Sequence, residues 1–423
     1  MRSIKVRKLL AAKRDKVIKP LKEIHNLMSE LLGEGTRRKL GLFVLCVFFY
    51  GYFPVTSGQE PSALKELTGK DLNQLTGLSA YNFNVDGWST LGYTYNPSHP
   101  GDRSNGPVQF NNRANEFQLY QLGLFLEKPL QRSMRNWQIG GRFEFMFGTD
   151  TPNYQATGNW DNNLISENSL RFYDIALPQA YVEIYAPFGN GISTKIGHFY
   201  SIIGYESVPS PPNFFVSHSY SMKSSPFTMS GVLTNYQVND TLSMQVGAVT
   251  GPDNLDQHAG AWSFTGGFSL ENKAHSRGFT FAIVDGNIDD TFPSHLTYYS
   301  SVLHQDLTSN LHYVLEHDLG HQQNALVGQH AEWYALVNYL TYDINPEWGT
   351  GLRAEWFHDD DGSRFSVVPG SYYDISAAVN WKPCAWLKIR PELRYDWADG
   401  PRPFDDGARN KQLLLAIDAV LRF

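Results

Sequence analysis

The sequence of 423 residues lacks an apolar run long enough for a membrane-spanning helix. Its longest apolar stretch, residues 40–53, is short, because a helix needs about 20 residues to cross a bilayer. Cysteine is scarce too, with two residues, so disulfide bonds cannot form the framework of the fold. Aromatic residues make up 14% of the chain, which argues against disorder. These features exclude a helical membrane protein, a disulfide-rich domain and a disordered chain.

The N-terminal part of the chain has the pattern of a targeting segment. Residues 37–39 are basic, residues 40–53 are apolar, and small and polar residues follow, as in a secretory signal. We therefore predict that residues 1–58 form a basic extension plus a secretory signal peptide. A start at Met28 would give a leader of ordinary length, so Met1 and Met28 both stay open as the start. The Thr36-Arg37-Arg38 run also fits twin-arginine export, which ranks lower because that route carries folded proteins.

The charge of the chain changes when the leader is set aside. The whole sequence has 35 Lys+Arg and 42 Asp+Glu; residues 1–39 hold twelve of the bases and four of the acids, and residues 40–58 hold none. The remainder therefore has 23 bases and 38 acids, a formal net charge of −15. Such a surface repels phosphate backbones, so nucleic acid is excluded as a partner.

The main signal after the leader is an alternation of apolar and polar residues with a period of two, which indicates β-strands. On residues 348–356, for example, tryptophan, leucine and alanine alternate with glycine, arginine and glutamate. The same pattern recurs at 137–148, 387–396 and 413–423. A strand with one apolar and one charged face suits either a soluble sheet or a membrane barrel.

Strand number and loop length favour the membrane barrel. Residues 81–423 contain about sixteen strands of roughly ten to fifteen residues, and bacterial barrels have an even number of strands. Long connections, predicted at 96–114, 149–175, 204–227, 251–260, 287–292, 319–330, 359–370 and 399–410, alternate with short turns. We therefore predict an all-β, antiparallel, up-and-down transmembrane barrel of about sixteen strands, preceded by a short periplasmic segment at 59–80.

Aromatic residues support the same prediction, because they occur at the ends of the apolar faces, where a membrane barrel has its two aromatic girdles. Several segments resemble the OmpL-like β-barrel porins of gram-negative bacteria: FQLYQLGLFLEK at 117–128, GGRFEF at 140–145, AYVEIY at 180–185, KIGHF at 195–199 and the stretch 204–233. The terminal Phe423, with alternating apolar residues before it, is similar to the assembly signal of outer-membrane barrels. The resemblance implies a channel across the bacterial outer membrane.

A barrel of about sixteen strands is too wide for its side chains to fill, so its lumen holds water and its selectivity depends on width and lining charge. This predicts a porin for passive diffusion of small hydrophilic solutes or ions. The charged residues on the inward faces are the predicted pore lining: Arg142, Glu144, Glu183, Lys195, Arg353, Glu355, Lys388, Arg390, Glu392 and Arg394. These charges act either in selectivity or in cross-strand ion pairs, and the sequence leaves both roles open.

The connection at 204–227 is the best candidate for a constriction, because it is long and rich in proline and serine. We expect it to fold into the lumen as the third outer loop and to narrow or tune the pore through Glu206, His218 and Lys223. An ordinary external loop is the alternative.

The remaining expectations concern partners and competing functions. No nucleophile elbow, phosphate loop or metal-ligand spacing occurs, so we expect no enzyme activity, no cofactor and no metal. The expected partners are outer-membrane lipid and lipopolysaccharide, the barrel-assembly machinery, small hydrophilic solutes and a second copy of the chain. Two alternatives stay open: a barrel enzyme that acts on lipids, which needs a serine and histidine pair at the lipid-facing outer rim, and a non-conducting adhesion or anchoring barrel.

Overall fold

The computed structural model describes residues 62–131, 136–158, 172–326 and 329–423. The predicted leader at 1–58 lies outside these residues. Sixteen antiparallel strands form one closed barrel in which each strand pairs with its neighbours along the chain and β1 pairs with β16. The fold predicted from the sequence is therefore confirmed.

The strands have these bounds: β1 Asn84–Tyr95, β2 Phe117–Lys128, β3 Gln138–Gly148, β4 Asp174–Ala186, β5 Ile192–Tyr200, β6 Thr228–Gln237, β7 Leu242–Pro252, β8 Ser263–Glu271, β9 Arg277–Asp289, β10 Ser294–Asp306, β11 Leu311–Leu326, β12 Gln329–Asn345, β13 Trp348–Asp359, β14 Gly370–Cys384, β15 Leu387–Asp399 and β16 Lys411–Arg422. The helices are α1 Ala63–Thr68, α2 Leu72–Thr76 and α3 Tyr220–Ser224, with 3-10 turns at Leu78–Tyr81 and Thr151–Asn153.

The apolar faces of the strands point outward and the polar faces point into the lumen. On β13, Leu352 is 53% exposed whereas the next residue, Arg353, is fully buried. The same contrast separates the exposed Phe143 from the buried Glu144 on β3. An apolar outside around a polar inside is the reverse of a soluble protein and matches a barrel in lipid.

The barrel closes where the first and last strands meet. Trp88 of β1 lies opposite Arg422 of β16, and the pairing continues to Tyr95 and Leu415. Gly87 and Phe423 exchange two backbone hydrogen bonds of 3.1 and 3.0 Å at the end of this seam. A Cβ atom on Gly87 would lie 2.6 Å from the Phe423 ring, so the position requires glycine.

Two of the predicted long loops are wrong. At 287–292, β9 continues to Asp289 and β10 begins at Ser294, so the connection is a short turn. Residues 319–330 were expected to form an outer loop, but β11 continues to Leu326 and β12 begins at Gln329. Leu319 pairs with Tyr334 and His321 with Glu332, so the ladder extends well beyond the expected strand ends. The alternation fades in this segment while backbone pairing continues, because a strand that emerges from the lipid no longer needs an apolar face.

Two short helices precede the barrel, in the segment predicted to be periplasmic. Ser62 caps α1, and Asp71 caps α2 through a capping box with Gln74. The Asn73 side chain accepts a hydrogen bond of 2.7 Å from the amide of Val85, which tethers this segment to β1. Among the described helices, none has the length and apolar character that a membrane crossing requires.

Candidate functional site in the barrel lumen

The connection between β5 and β6, residues 201–227, is the largest element associated with the lumen, and we call it L3. It begins and ends on one wall of the barrel, and β14 stands eight positions from β6 in the ring of sixteen strands, on the opposite wall. Side chains of β11, β13 and β15 nevertheless hydrogen-bond to the L3 backbone. L3 therefore crosses the lumen.

Carboxylates of the far wall accept hydrogen bonds from L3 amides. Glu392 on β15 accepts from Val216 at 2.6 Å and from Ser217 at 3.2 Å. Glu355 on β13 accepts from the first two amides of α3, at 2.8 and 2.7 Å. These hydrogen bonds satisfy amides that a buried loop would otherwise leave without partners.

Cations of the same wall donate to L3 carbonyl oxygens. Arg390 donates to the carbonyls of Asn213 and Phe215, both at 2.8 Å. The other donors follow the same rule: Arg353 to Ser217 at 2.7 Å, Arg394 to His218 at 2.6 Å, and Lys388 to Pro211 at 2.6 Å. Acids thus hold the amides of L3 and bases hold its carbonyls, which explains why charged residues of both signs face inward along β15.

Each buried arginine of this wall also has a carboxylate partner. Arg353 lies 2.7 Å from Asp374, Arg390 lies 2.5 Å from Asp418, and Arg394 lies 2.7 Å from Asp396. All six of these side chains are almost completely buried. We call nine of the inward charged residues of β13, β14, β15 and β16 the anchoring ladder: Arg353, Glu355, Asp374, Lys388, Arg390, Glu392, Arg394, Asp396 and Asp418.

The six predicted pore-lining residues on β13 and β15 all belong to the anchoring ladder. The other four lie on the wall formed by β3, β4 and β5. Arg142 donates to Glu144 at 2.8 Å, and Glu144 is fully buried with Gln179 and Tyr200 as further donors. The remaining two face each other across neighbouring strands: Glu183 and Lys195. The pore-lining role of all ten residues stays a prediction, and the contacts show in addition that six of them hold L3.

Glu206 is the centre of the L3 interactions. Its carboxylate accepts from Arg353 at 3.0 Å, from the amide of Ser219 at 3.1 Å and from the hydroxyl of Tyr339 at 3.1 Å, and lies 2.8 Å from Nδ1 of His218. Burial by itself raises the pKa of Glu206, but the His218 and Arg353 charges outweigh it and lower this pKa to about 2. The carboxylate is therefore ionised.

Lys223 connects L3 to two other outer loops. Its Nζ donates to the carbonyl of Pro107 at 2.8 Å and lies 5.0 Å from the centre of the Phe365 ring. Burial, helped by the charge of Arg364, lowers the pKa of Lys223 to about 8. Of the three residues predicted for the constriction, Glu206 and His218 are thus in direct contact, whereas Lys223 contacts other outer loops. Their effect on solute flow stays a prediction.

Several residues that hold L3 were not singled out by sequence reasoning. Gln121 on β2 accepts from the amide of Ser210 and donates to the carbonyl of Val208, at 2.9 and 3.0 Å. Glu316 on β11 accepts from the amide of Tyr205 at 2.8 Å. The available signal was an inward-facing polar residue on an otherwise regular strand, which by itself does not reveal a partner so distant in sequence.

A histidine and two aspartates come together at the outer side of the barrel. Nδ1 of His258 lies 3.3 Å from Asp289 and 3.1 Å from Asp290. Their candidate ligand atoms lie within 4.8 Å of one another. The hydrogen bond between His258 and Asp290 accounts for this arrangement.

Two cavities lie between L3 and the short turns. The larger, of about 770 Å³, is lined by L3 residues 211–214 and by the ends of β12 to β16. The smaller, of about 400 Å³, is lined by residues of β1, β2 and β3, among them Trp88 and Arg142. L3 therefore divides the lumen, with open space on the side of the short turns.

A closed sixteen-strand barrel with an apolar outer face, a polar lumen and a loop across that lumen is an outer-membrane porin. Residues 82–423 match the family described as "Putative beta-barrel porin-2, OmpL-like". The chain belongs to this family, which confirms the resemblance noted in the sequence. It is a passive diffusion channel of the bacterial outer membrane.

Solved structures of outer-membrane channels have the same fold. OprB of Pseudomonas putida, in its high-pH structure, is 11% identical with a TM-score of 0.56, over 82% of this chain and 96% of that one. The outer-membrane channel DcaP of Acinetobacter baumannii is 14% identical with a TM-score of 0.52, over 81% and 97%. An anion-selective porin from Comamonas acidovorans is 9% identical with a TM-score of 0.51, over 81% and 99%. No curated protein matches the sequence.

Proposed function

We propose that the protein is a non-catalytic porin in which L3 sets the width of the path for small hydrophilic solutes and ions. The observation that carries this proposal is the anchoring of the L3 backbone to the wall opposite its own strands, through Glu392, Arg390 and their neighbours. A segment held across a sixteen-strand lumen leaves less room for solutes than the barrel alone. The mixed charges of the walls suit water and polar solutes.

The test is single-channel conductance in planar bilayers. Removal of residues 209–219, the part of L3 that contacts β15, is expected to raise the conductance several-fold because the obstructed cross-section opens. Removal of the exposed tip 405–408 between β15 and β16 is the control and is expected to change little. An unchanged conductance in a correctly folded L3 deletion would refute the constriction.

A lipid-cleaving enzyme is the less favoured alternative. His218 and Ser219 are adjacent in sequence, but both are buried in L3, and both contact Glu206. Lipid hydrolysis requires a nucleophile and base at the lipid-facing rim, and this pair lies in the lumen instead. We therefore assign His218 and Ser219 to the positioning of Glu206. A non-conducting adhesion barrel would differ from the proposal by giving no channels in the bilayer experiment.

We further propose that the barrel associates with a second copy through the outward face of β10, β11 and β12. His317 lies on the lipid side of β11 between Leu315 and Leu319, opposite Ser301, and stacks on Tyr299 at 5.7 Å. A polar ring among lipid-facing leucines is costly unless it finds a polar partner. His317→Leu is expected to shift the protein toward the monomer in light scattering of detergent-purified barrels; an unchanged mass would exclude this face. Lipopolysaccharide and the assembly machinery stay predicted partners.

A further inference from the structure

The larger cavity between L3 and the short turns has a composition that differs from the rest of the lumen. We call this cavity of about 770 Å³ the periplasmic vestibule, since short turns of outer-membrane barrels face the periplasm. Its volume is within the range of small-molecule sites. The inference below rests on the proposed channel function and adds a class of solute to it.

Three cations project into the vestibule from consecutive strands. Lys382 of β14, Lys388 of β15 and Arg422 of β16 occupy inward positions near the periplasmic strand ends. Lys382 and Arg422 are each close enough to repel the ammonium group of Lys388. In the described part of the chain, the side chains of Lys382 and Arg422 are exposed and make no hydrogen bond or ion pair. Asp343 is the single carboxylate among the described lining residues.

Two almost completely buried polar groups line the same vestibule without a partner. Asn380 is 4% exposed, faces inward from β14 opposite Gly349, and its Oδ1 accepts no hydrogen bond from the described residues. Trp386, in the turn before β15, is 1% exposed, and its Nε1 likewise has no acceptor there. Buried polar atoms normally have partners, so an acceptor and a donor left open beside one cavity indicate that a ligand supplies them.

We propose that the periplasmic vestibule binds small oxyanions that also carry hydroxyl groups. The carboxylate or phosphate of the solute lies among Lys382, Lys388 and Arg422, where charge-assisted hydrogen bonds relieve the mutual repulsion of the cations. A hydroxyl of the solute donates to Oδ1 of Asn380. The Trp386 N–H provides a further donor for a solute oxygen.

Gluconate, glycerol 3-phosphate and glucose are the probes that test this site in single-channel recordings. We expect the two anions, added on the side of the short turns, to block the ion current in a concentration-dependent manner, and glucose to have no effect. Lys382→Gln and Arg422→Gln are each expected to weaken the block roughly tenfold, the size expected for loss of a charge-assisted hydrogen bond. Lys273→Gln, in an exposed turn outside the vestibule, is the matched control.

A separate variant tests the contact between the solute hydroxyl and Asn380. Asn380→Ala is expected to weaken the block by gluconate while leaving the weaker block by acetate unchanged, because acetate has no hydroxyl to donate. A block by gluconate alone assigns the carboxylate as the preferred head group, and a block by glycerol 3-phosphate alone assigns the phosphate. An equal loss for gluconate and acetate in Asn380→Ala would overturn the assignment of that residue.

Failure of the inference and failure of the channel function are separable. If the channels conduct normally but gluconate and glucose change the ion current equally, the oxyanion site is overturned and the channel function stands. Preparations without conductance contradict the proposed channel, and calorimetric titration of the folded barrel in detergent with the same two anions then decides the site. Binding heat that disappears in Arg422→Gln supports the oxyanion site. The absence of any binding heat in the wild type overturns that site.

Discussion

Arg353 and Glu206 form an ion pair of 3.0 Å that joins strand β13 to L3, although 147 residues separate them in the sequence. Both side chains are buried, and each has further partners of opposite charge. The pair is therefore a connection between the barrel wall and the loop that crosses the lumen, and loss of either member removes a buried opposite charge from the other.

Arg353→Met removes this connection. It leaves Glu206 and Asp374 without their shared cation, and removal of one partner from a buried pair costs about 3–5 kcal/mol. We expect a lower unfolding temperature in detergent and a larger, noisier single-channel conductance as L3 detaches. Arg409→Gln, which breaks the exposed pair with Asp405, is the control, with an expected cost of about 1 kcal/mol or less. Equal effects of the two variants would contradict a special role for Arg353.

Glu206 predicts how L3 responds to acid. Its pKa in the folded protein, about 2, lies below the ordinary value of 4.5, so its stabilisation is complete above pH 4.5 and is lost as the pH falls toward 2. The loss amounts to about 3 kcal/mol. His218, Arg353, Glu316 and Tyr339 are the titratable or charged groups that face it.

Channel recordings across pH check this expectation. The Glu206-dependent part of the conductance should change as the pH falls from 4.5 toward 2, where the Glu206 carboxylate becomes protonated. Glu206→Gln should already show the released conductance at neutral pH and no further Glu206-dependent change in acid. A wild-type conductance that is the same at pH 5 and at pH 2 would contradict the assignment.

Asp253 predicts a stabilising substitution. Its Oδ1 accepts from the amides of Phe227 and Thr228 at 3.0 and 2.8 Å, and burial raises its pKa to about 6 despite these bonds. A raised carboxyl pKa makes the folded state lose stability as the pH rises from 3.8 to 6. The substitution Asp253→Asn keeps an accepting oxygen, removes the charge and suits the positive φ of 48° at this position.

The Asp253→Asn variant should therefore unfold at a higher temperature than the wild type at pH 8. The gain is about 2–3 kcal/mol, the cost of ionising the buried carboxyl. The difference should vanish near pH 4, where the wild-type carboxyl is protonated. A variant that is less stable at pH 8 would show that the charge of Asp253, through the nearby Arg364, contributes more than its burial costs.

Phe423 tests the assembly signal separately from packing at the seam. We expect Phe423→Ala to lower the amount of folded barrel in the outer membrane several-fold, measured by heat-modifiable migration on gels. Gly87→Val keeps Phe423 but places a side chain against its ring, so it should reduce the thermal stability of barrels refolded in detergent. If Phe423→Ala assembles normally in cells, the predicted signal is wrong.

The sequence predicted the barrel well because the bilayer imposes a local rule. Leu352 and Arg353 reveal the two faces of β13 by their alternation, and the same period identifies all sixteen strands. The rule failed for residues 319–330, where the strands leave the lipid. The sequence also indicated that the charged residues of β15 face inward. It could not indicate whether this wall faces water or holds a loop, because both arrangements give the same pattern of inward polar residues.

The sequence by itself determined the class of fold and the inward and outward faces of the strands, because a lipid environment forces alternation onto every strand. Only the tertiary structure decided that Glu392 and Arg390 hold L3, and that Lys382, Asn380 and Arg422 meet in one vestibule. These relationships join residues on different strands, and about 175 positions separate Glu392 from its partners in L3. Such contacts follow from the path of a loop through the lumen, which no periodic pattern records.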